Sequence, residues 1–143
     1  MGRANFLFII LGGFILISGI SLYYHFENRK IRDNVFENAR LRVEVLNGCG
    51  VDNLAMLVSD ELRRLGFDVV ETGNATSYDF KETVIIDRTD PKLRNAHRLG
   101  GVIGCTRFGK DIDSSLYIDV TILLGKDYLK YFPSLKNRPR WMH

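Results

Sequence analysis

Hydrophobic residues follow three different patterns along this chain. From Phe6 to Phe26, FLFIILGGFILISGISLYYHF, they are nearly continuous, with no Asp, Glu, Lys or Arg. At about 1.5 Å of helical rise per residue such a run spans about 30 Å, the hydrocarbon thickness of a bilayer. It ends in Tyr23-Tyr24-His25-Phe26 rather than the small residues of a signal-peptide cleavage site, so the pattern predicts an uncleaved membrane anchor. Residues 27–40, ENRKIRDNVFENAR, then place Ile31, Val35 and Ala39 four apart among charges, which predicts a helical stalk. From Leu41 onward short apolar runs alternate with turns, as in a small α/β domain.

Within that domain LRVEVLN sends Leu41, Val43 and Val45 one way and Arg42 and Glu44 the other, the period of a half-exposed strand. After the turn Gly48-Cys49-Gly50, Asp52 is positioned to cap a helix with Leu54, Val58, Leu62 and Leu65 on one stripe, and Gly66 follows as its stop. FDVVE and TVIID read as two further strands, joined by the turn-rich TGNATSYD. Asp90-Pro91 reads as N-cap and first position of a second helix, with Leu93, Ala96 and Leu99 inward. The loop CTRFGKDIDSS then leads to a last strand, LYIDVTILLG. The order β-α-β-β-α-β predicts an α+β domain of ferredoxin-like type. Its sheet would be four-stranded and antiparallel, with both helices on one face. The chain thus divides into a short tail (1–5), an anchor (6–26), a stalk (27–40), a domain (41–130) and a basic tail (131–143).

Charge changes the picture only once it is divided among these segments. Residues 1–40 carry +2, residues 41–128 carry −3 and residues 129–143 carry +4, which sum to the net +3. The folded domain is slightly acidic and lacks the clustered cations that neutralise phosphates, so nucleic acid is excluded as its partner. The membrane, through residues 6–26, is the partner the pattern supports. Gly12, Gly13 and Gly19 leave a homodimer through the anchor open, although no G-x-x-x-G spacing is present. Arg29, Lys30, Arg32, Arg40 and Arg42 follow the anchor and only Arg3 precedes it. Taken alone, the positive-inside rule therefore places the domain in the cytoplasm.

The stretches RVEVLNGCGVDNLAMLVSDELRRLGFDVVETGNA, ETVIIDR and DVTILLGKDY resemble the LytR C-terminal domain, a module that often follows the catalytic domain of LytR/CpsA/Psr envelope proteins. The likeness covers about residues 41–130. Its marks are Asn47-Gly48, Asn53-Leu54-Ala55, Gly66-Phe67, Gly73-Asn74-Ala75 and Leu124-Gly125-Lys126-Asp127-Tyr128. The resemblance implies a single-pass protein of the cytoplasmic membrane with its domain outside the cytoplasm, against the Lys/Arg count. It does not carry over ligase activity, because only an anchor and a stalk precede the module. A role in transcription finds no helix-turn-helix to rest on.

The candidate chemistry is sparse. Leu46-Asn47-Gly48-Cys49 has the shape of a lipobox, but Cys49 lies beyond a charged stalk instead of directly after the apolar run. A phosphate loop lacks both the Walker lysine and the G-x-G-x-x-G spacing. Cys49 and Cys105 fall at the same edge of the expected sheet. A disulfide between them is the structural alternative to two small thiols, and a thiol or redox enzyme using the pair is the catalytic one. No metal-ligand spacing and no cofactor motif is present. The expected function is a non-catalytic, membrane-anchored envelope module that binds cell-wall glycan or scaffolds envelope partners. A cytoplasm-facing tethered adaptor is the alternative left by the charge count. The binding residues expected are Asn47 and Gly48 at the turn, with Arg42, Glu44, Tyr117, Asp119 and Thr121 on the open sheet face.

Overall fold

The computed structural model describes residues 3–137, so Trp141 and the end of the basic tail lie outside the described residues. The chain divides into two compact units, Met1–Val35 and Phe36–His143. The first consists of helix α1 (Arg3–Asn38), which continues into the start of the second. Its window Ile10–Glu27 is long and apolar enough to cross a membrane. Ile15, Leu16 and Ile17 are exposed there, as they would be if lipid were their solvent.

The second unit is built on β1 (Arg42–Asn47), α2 (Leu54–Arg64), β2 (Asp68–Asn74), β3 (Val84–Asp87), α3 (Arg94–Ile103), β4 (Phe108–Lys110) and β5 (Val120–Leu124). The α+β class and the expected run of elements are present, but the sheet has five strands in the order β2-β1-β5-β3-β4. β1 pairs in parallel with both β2 and β5, β3 pairs in parallel with β4, and β3 meets β5 antiparallel. The sheet is therefore mixed, not the four-stranded antiparallel sheet expected of a ferredoxin-like order. The reason is a single short strand. Phe108-Gly109-Lys110, read from sequence as loop, takes the place beside β3 that the crossover through α3 must fill. One more reversal then brings β5 in along the direction of β1. Two right-handed βαβ crossovers, one toward each edge, put both helices on the same face.

That face carries the core. Val43 and Val45 of β1 are fully buried, as are Ile85 of β3 and Val120, Ile122 and Leu124 of β5. They pack in one cluster with Leu54, Val58 and Leu62 of α2 and Ala96 and Leu99 of α3. The cluster also takes in Tyr131, Phe132 and Leu135, so packing continues past residue 130.

Both helix starts differ from expectation. Asn53, in the left-handed region at φ 56°, is the residue that precedes α2, and Asp52 makes no cap. Helix α3 begins at Arg94 rather than Pro91, and its entry is organised by Asp87 at the end of β3. The fully buried Asp87 carboxylate accepts from the backbone amides of Ala96 (3.0 Å), Asp90 (2.7 Å) and Thr89 (3.2 Å). Placing an anion against the amides of a helix start is favourable, which explains a buried aspartate at this point.

Candidate functional site

The polar residues expected on the open sheet face are brought together, but largely to satisfy one another. Arg42 grips Asp119 at both ends of its guanidinium, Nε to Oδ2 at 3.2 Å and Nη2 to Oδ1 at 3.1 Å, and its backbone amide adds a third bond at 3.0 Å. Burial, the largest influence on Asp119, would raise its pKa; the bonds and charge of Arg42 outweigh it and hold the carboxyl below the usual range. Because Glu44 and Thr121 are in register across β1 and β5, the buried Thr121 hydroxyl donates to the Glu44 carboxylate at 2.6 Å. The same hydroxyl accepts from Arg88 Nε at 2.9 Å, and Arg88 in turn pairs with Asp111. Tyr117 is not in this array. It sits in the turn ahead of β5 with φ 54° and is 76% exposed.

Asn47 and Gly48 shape the turn between β1 and α2. The Asn47 Oδ1 accepts from the amides of Cys49 (3.2 Å) and Gly50 (3.1 Å), while its Nδ2 donates to the Val51 carbonyl at 2.8 Å. One side chain thus holds the whole turn between β1 and α2. A Cβ on Gly48 would lie 2.8 Å from the Leu124 carbonyl oxygen and 2.8 Å from the Phe80 ring, so strand β5 and the loop after β2 leave no room for a side chain. Gly50 has φ +73°, a backbone conformation that only glycine takes at low cost.

The two cysteines stand apart as free thiols. The Cys49 Sγ faces Asn47 Oδ1 at 3.7 Å, whereas the buried Cys105 Sγ faces the carbonyls of Thr83 (3.7 Å) and Arg107 (3.8 Å). Their same-edge placement holds, but Cys105 sits by the start of β3, and β5 lies between β3 and β1. Strands two places apart are separated by about 9–10 Å, more than the about 7 Å that a disulfide bridges. Among the described residues, no group of three or more His, Cys, Asp or Glu side chains is gathered as a metal site.

Space for a ligand lies elsewhere, in an open crevice of about 420 Å³ outside the carboxyl ends of β1 and β2. Its floor is the Asn47–Val51 turn and the start of α2; Thr72 and Asn74 of β2 form one wall and Tyr78 the other. The lining comes from the ends of β1 and β2, from the start of the helix α2 that joins them, and from the loop after β2. Asp52 projects into this crevice, not onto the helix amides, and Tyr78 is 48% exposed. Sequence reasoning missed Thr72, Asn74 and Tyr78. Tyr78, the one aromatic in the polar stretch TGNATSYD, was a signal of a kind.

At the same end of the sheet, Asp127 ties the end of β5 to the entry of β3. Its Oδ1 accepts from the Thr83 amide (2.7 Å) and hydroxyl (2.8 Å), and its Oδ2 pairs with Arg107 at 3.2 Å. Arg107 also donates to the Tyr131 hydroxyl at 3.0 Å. Burial, then Cys105 and Asp127, raise the Tyr131 pKa. A Cβ on Gly125 would fall 2.3–2.6 Å from the Glu82 backbone. The Gly125-Lys126-Asp127 stretch is thus a clamp between β5 and the entry to β3.

A search among curated proteins found no match. A solved structure, the soluble domain of a conserved hypothetical secreted protein from Mycobacterium marinum, is 25% identical over 63% of this chain and 62% of that one, with a TM-score of 0.48. The present chain thus spans less than two thirds of that solved domain. Residues 40–128 match the family described as LytR cell envelope-related transcriptional attenuator. The match takes in the Asn47-Gly48 turn, the crevice and the Asp127 clamp, and on it the chain belongs to the LytR C-terminal domain family.

Proposed function

We propose that this protein is a non-catalytic, single-pass membrane protein of the cell envelope whose folded unit lies outside the cytoplasm and binds cell-wall glycan. The observation that carries the binding is the carboxyl-end crevice, an open polar cavity with an exposed aromatic side chain on its wall. The apolar window Ile10–Glu27 supports the anchor, and membership in a cell-envelope family supports the outside location over the Lys/Arg count. A non-catalytic role is supported by what the polar side chains do. Asp87, Asp119, Asp127 and Thr121 are each committed to bonds inside the protein, and none is paired with a nucleophile beside the crevice.

A scaffold for envelope proteins is the second reading, favoured by the exposed Ile112, Leu116 and Tyr117 at the opposite end of the sheet. The test is retention of the full-length protein, in detergent micelles, on isolated cell-wall sacculi. Retention well above that of an unrelated micelle-bound protein is expected; none would overturn glycan binding and leave the scaffold. Alkaline phosphatase fused to the C-terminus should be active, and an inactive fusion would put the domain in the cytoplasm.

A further inference from the structure

The crevice is unusual in its charge. The turn, the helix start and the β2 wall contribute amides, a hydroxyl, glycine backbone and apolar side chains, and the one formal charge among the lining residues is the Asp52 carboxylate. No lysine or arginine lines it, although the chain has 20 of them. Helix α2 begins here, and a helix start carries roughly half a positive charge. The full negative charge of Asp52 more than offsets this, so the site as a whole repels anions. On the wall, the Tyr78 side chain rests on the turn. Its Cβ and Cγ lie 3.3 and 3.4 Å from where a Cβ on Gly50 would stand. The absence of a side chain at Gly50 therefore lets Tyr78 settle close against the crevice floor while nearly half of it stays exposed. Asp52, Thr72 and Asn74 make no side-chain hydrogen bond to other described residues that would compete with a ligand, in contrast to Asn47 beneath them.

Resting on the glycan-binding reading above, we infer that the crevice receives an uncharged sugar ring, stacked on Tyr78 and hydrogen-bonded by Asp52, Thr72 and Asn74, and that it rejects phosphate-bearing wall polymers. A carboxylate accepts paired hydroxyl donors from a sugar, whereas a phosphate offers it only like charge. An aromatic face with a few convergent polar groups in a cavity of this size is the usual make-up of a site that orients a small ligand.

The experiment uses full-length protein in detergent micelles. Sacculi retention is measured for wild type, Tyr78→Ala and Thr72→Trp, the last filling the crevice from an exposed strand position while Tyr78 is left in the sequence. Affinities for chitotriose, a neutral N-acetylated sugar, and for poly(glycerol phosphate) are then measured by calorimetry. Tyr78→Ala and Thr72→Trp should each weaken sacculi and chitotriose binding at least about tenfold while circular dichroism shows an unchanged fold. Poly(glycerol phosphate) should bind wild type at least about tenfold more weakly than chitotriose, and Asp52→Asn should narrow that gap. If wild type is retained on sacculi and both variants are retained equally, glycan binding stands and the crevice is not its site. If wild type binds poly(glycerol phosphate) as well as chitotriose, the charge argument is overturned. Absence of wild-type retention overturns the glycan reading itself, and this inference with it.

Discussion

The two polar regions of the folded unit look alike in sequence and differ in use. On the open sheet face, Arg42, Asp119, Glu44, Thr121 and Arg88 form closed pairs and chains, so their polarity is consumed in holding β1, β5 and β3 in register. At the carboxyl ends of β1 and β2, Asn47 is a heavily bonded side chain of the crevice floor, while Asp52, Thr72 and Asn74 make no side-chain hydrogen bond to other described residues. A polar residue on a strand flanked by other polar strands finds partners across the ladder, because neighbouring strands lie within about 5 Å. At the end of a strand there is no such neighbour, and a turn of glycines leaves a cavity in its place. Exposure of polar side chains is thus a poor guide to ligand sites on a sheet, and strand ends are a better one.

This contrast is open to direct attack, most strongly beneath the crevice. Asn47→Ala would strip acceptors from the amides of Cys49 and Gly50 and a donor from the Val51 carbonyl. Each of these partly exposed bonds is worth about 0.5–1.5 kcal/mol, so losing the three should cost about 2–4 kcal/mol of unfolding free energy, read by urea denaturation. A smaller effect is expected where the open face is knitted together. Thr121→Val keeps the shape but leaves Arg88 Nε and the Glu44 carboxylate without their shared hydroxyl, for about 1–2 kcal/mol by the same measurement. Arg42→Ala removes a partly exposed ion pair and should lower the urea midpoint less than Thr121→Val does.

Acidification sharpens the same comparison. The Asp119 pKa is lowered in the folded state, so its contribution is fully present above the unfolded value of about 3.9 and is lost as pH falls through the folded value. Wild type should therefore lose more stability than Asp119→Asn between pH 7 and pH 3, as a difference between their denaturation midpoints. Smallest of all, Tyr78→Ala should shift stability by no more than about 0.5 kcal/mol, since the side chain is half exposed and supports nothing above it. A large destabilisation by Tyr78→Ala would make the crevice wall structural, like the sheet face. Separately, thiol titration of the unfolded, unreduced protein should count two free cysteines, and a count of zero would mean that the pair had closed.

Much of the fold is legible in local periodicity. The alternation of Leu41, Val43 and Val45 and the stripe of Leu54, Val58 and Leu62 reappear as buried positions, because period and burial are set by the same geometry of strand and helix, whereas Leu65, expected on the same stripe, lies exposed just past the end of α2. The three-residue strand at Phe108 was not legible. It is too short to show a period, and its glycine and lysine read as loop, yet its insertion reverses the direction in which β5 meets β1. Asp52 does not cap α2, and the Asp90 carboxylate, which accepts from the Lys92 amide at 2.9 Å, caps the turn ahead of α3 while Asp87 serves the helix itself. Capping depends on where the chain comes from, and Asp87 reaches the start of α3 from a strand that sequence spacing does not place there. Of the site, Asn47 and Gly48 were legible as a turn but not as its fasteners, and Thr72, Asn74 and Tyr78 become neighbours of that turn only through the β1–β2 pairing.

What sequence alone determined was therefore local. It specified an apolar helix with the length of a bilayer, a domain of alternating strands and amphipathic helices, and a glycine-rich turn after the first strand. The tertiary structure decided which strands are neighbours and in which direction. That choice determines which polar groups are satisfied across a ladder and which are left at a strand end with space in front of them. The physical reason is range. Periodicity records each residue's relation to the core a few positions at a time, while pairing, thiol separation and crevice shape depend on residues far apart in the chain, from Ile85 and Phe108 to Glu44 and Thr121, which meet across 77 positions.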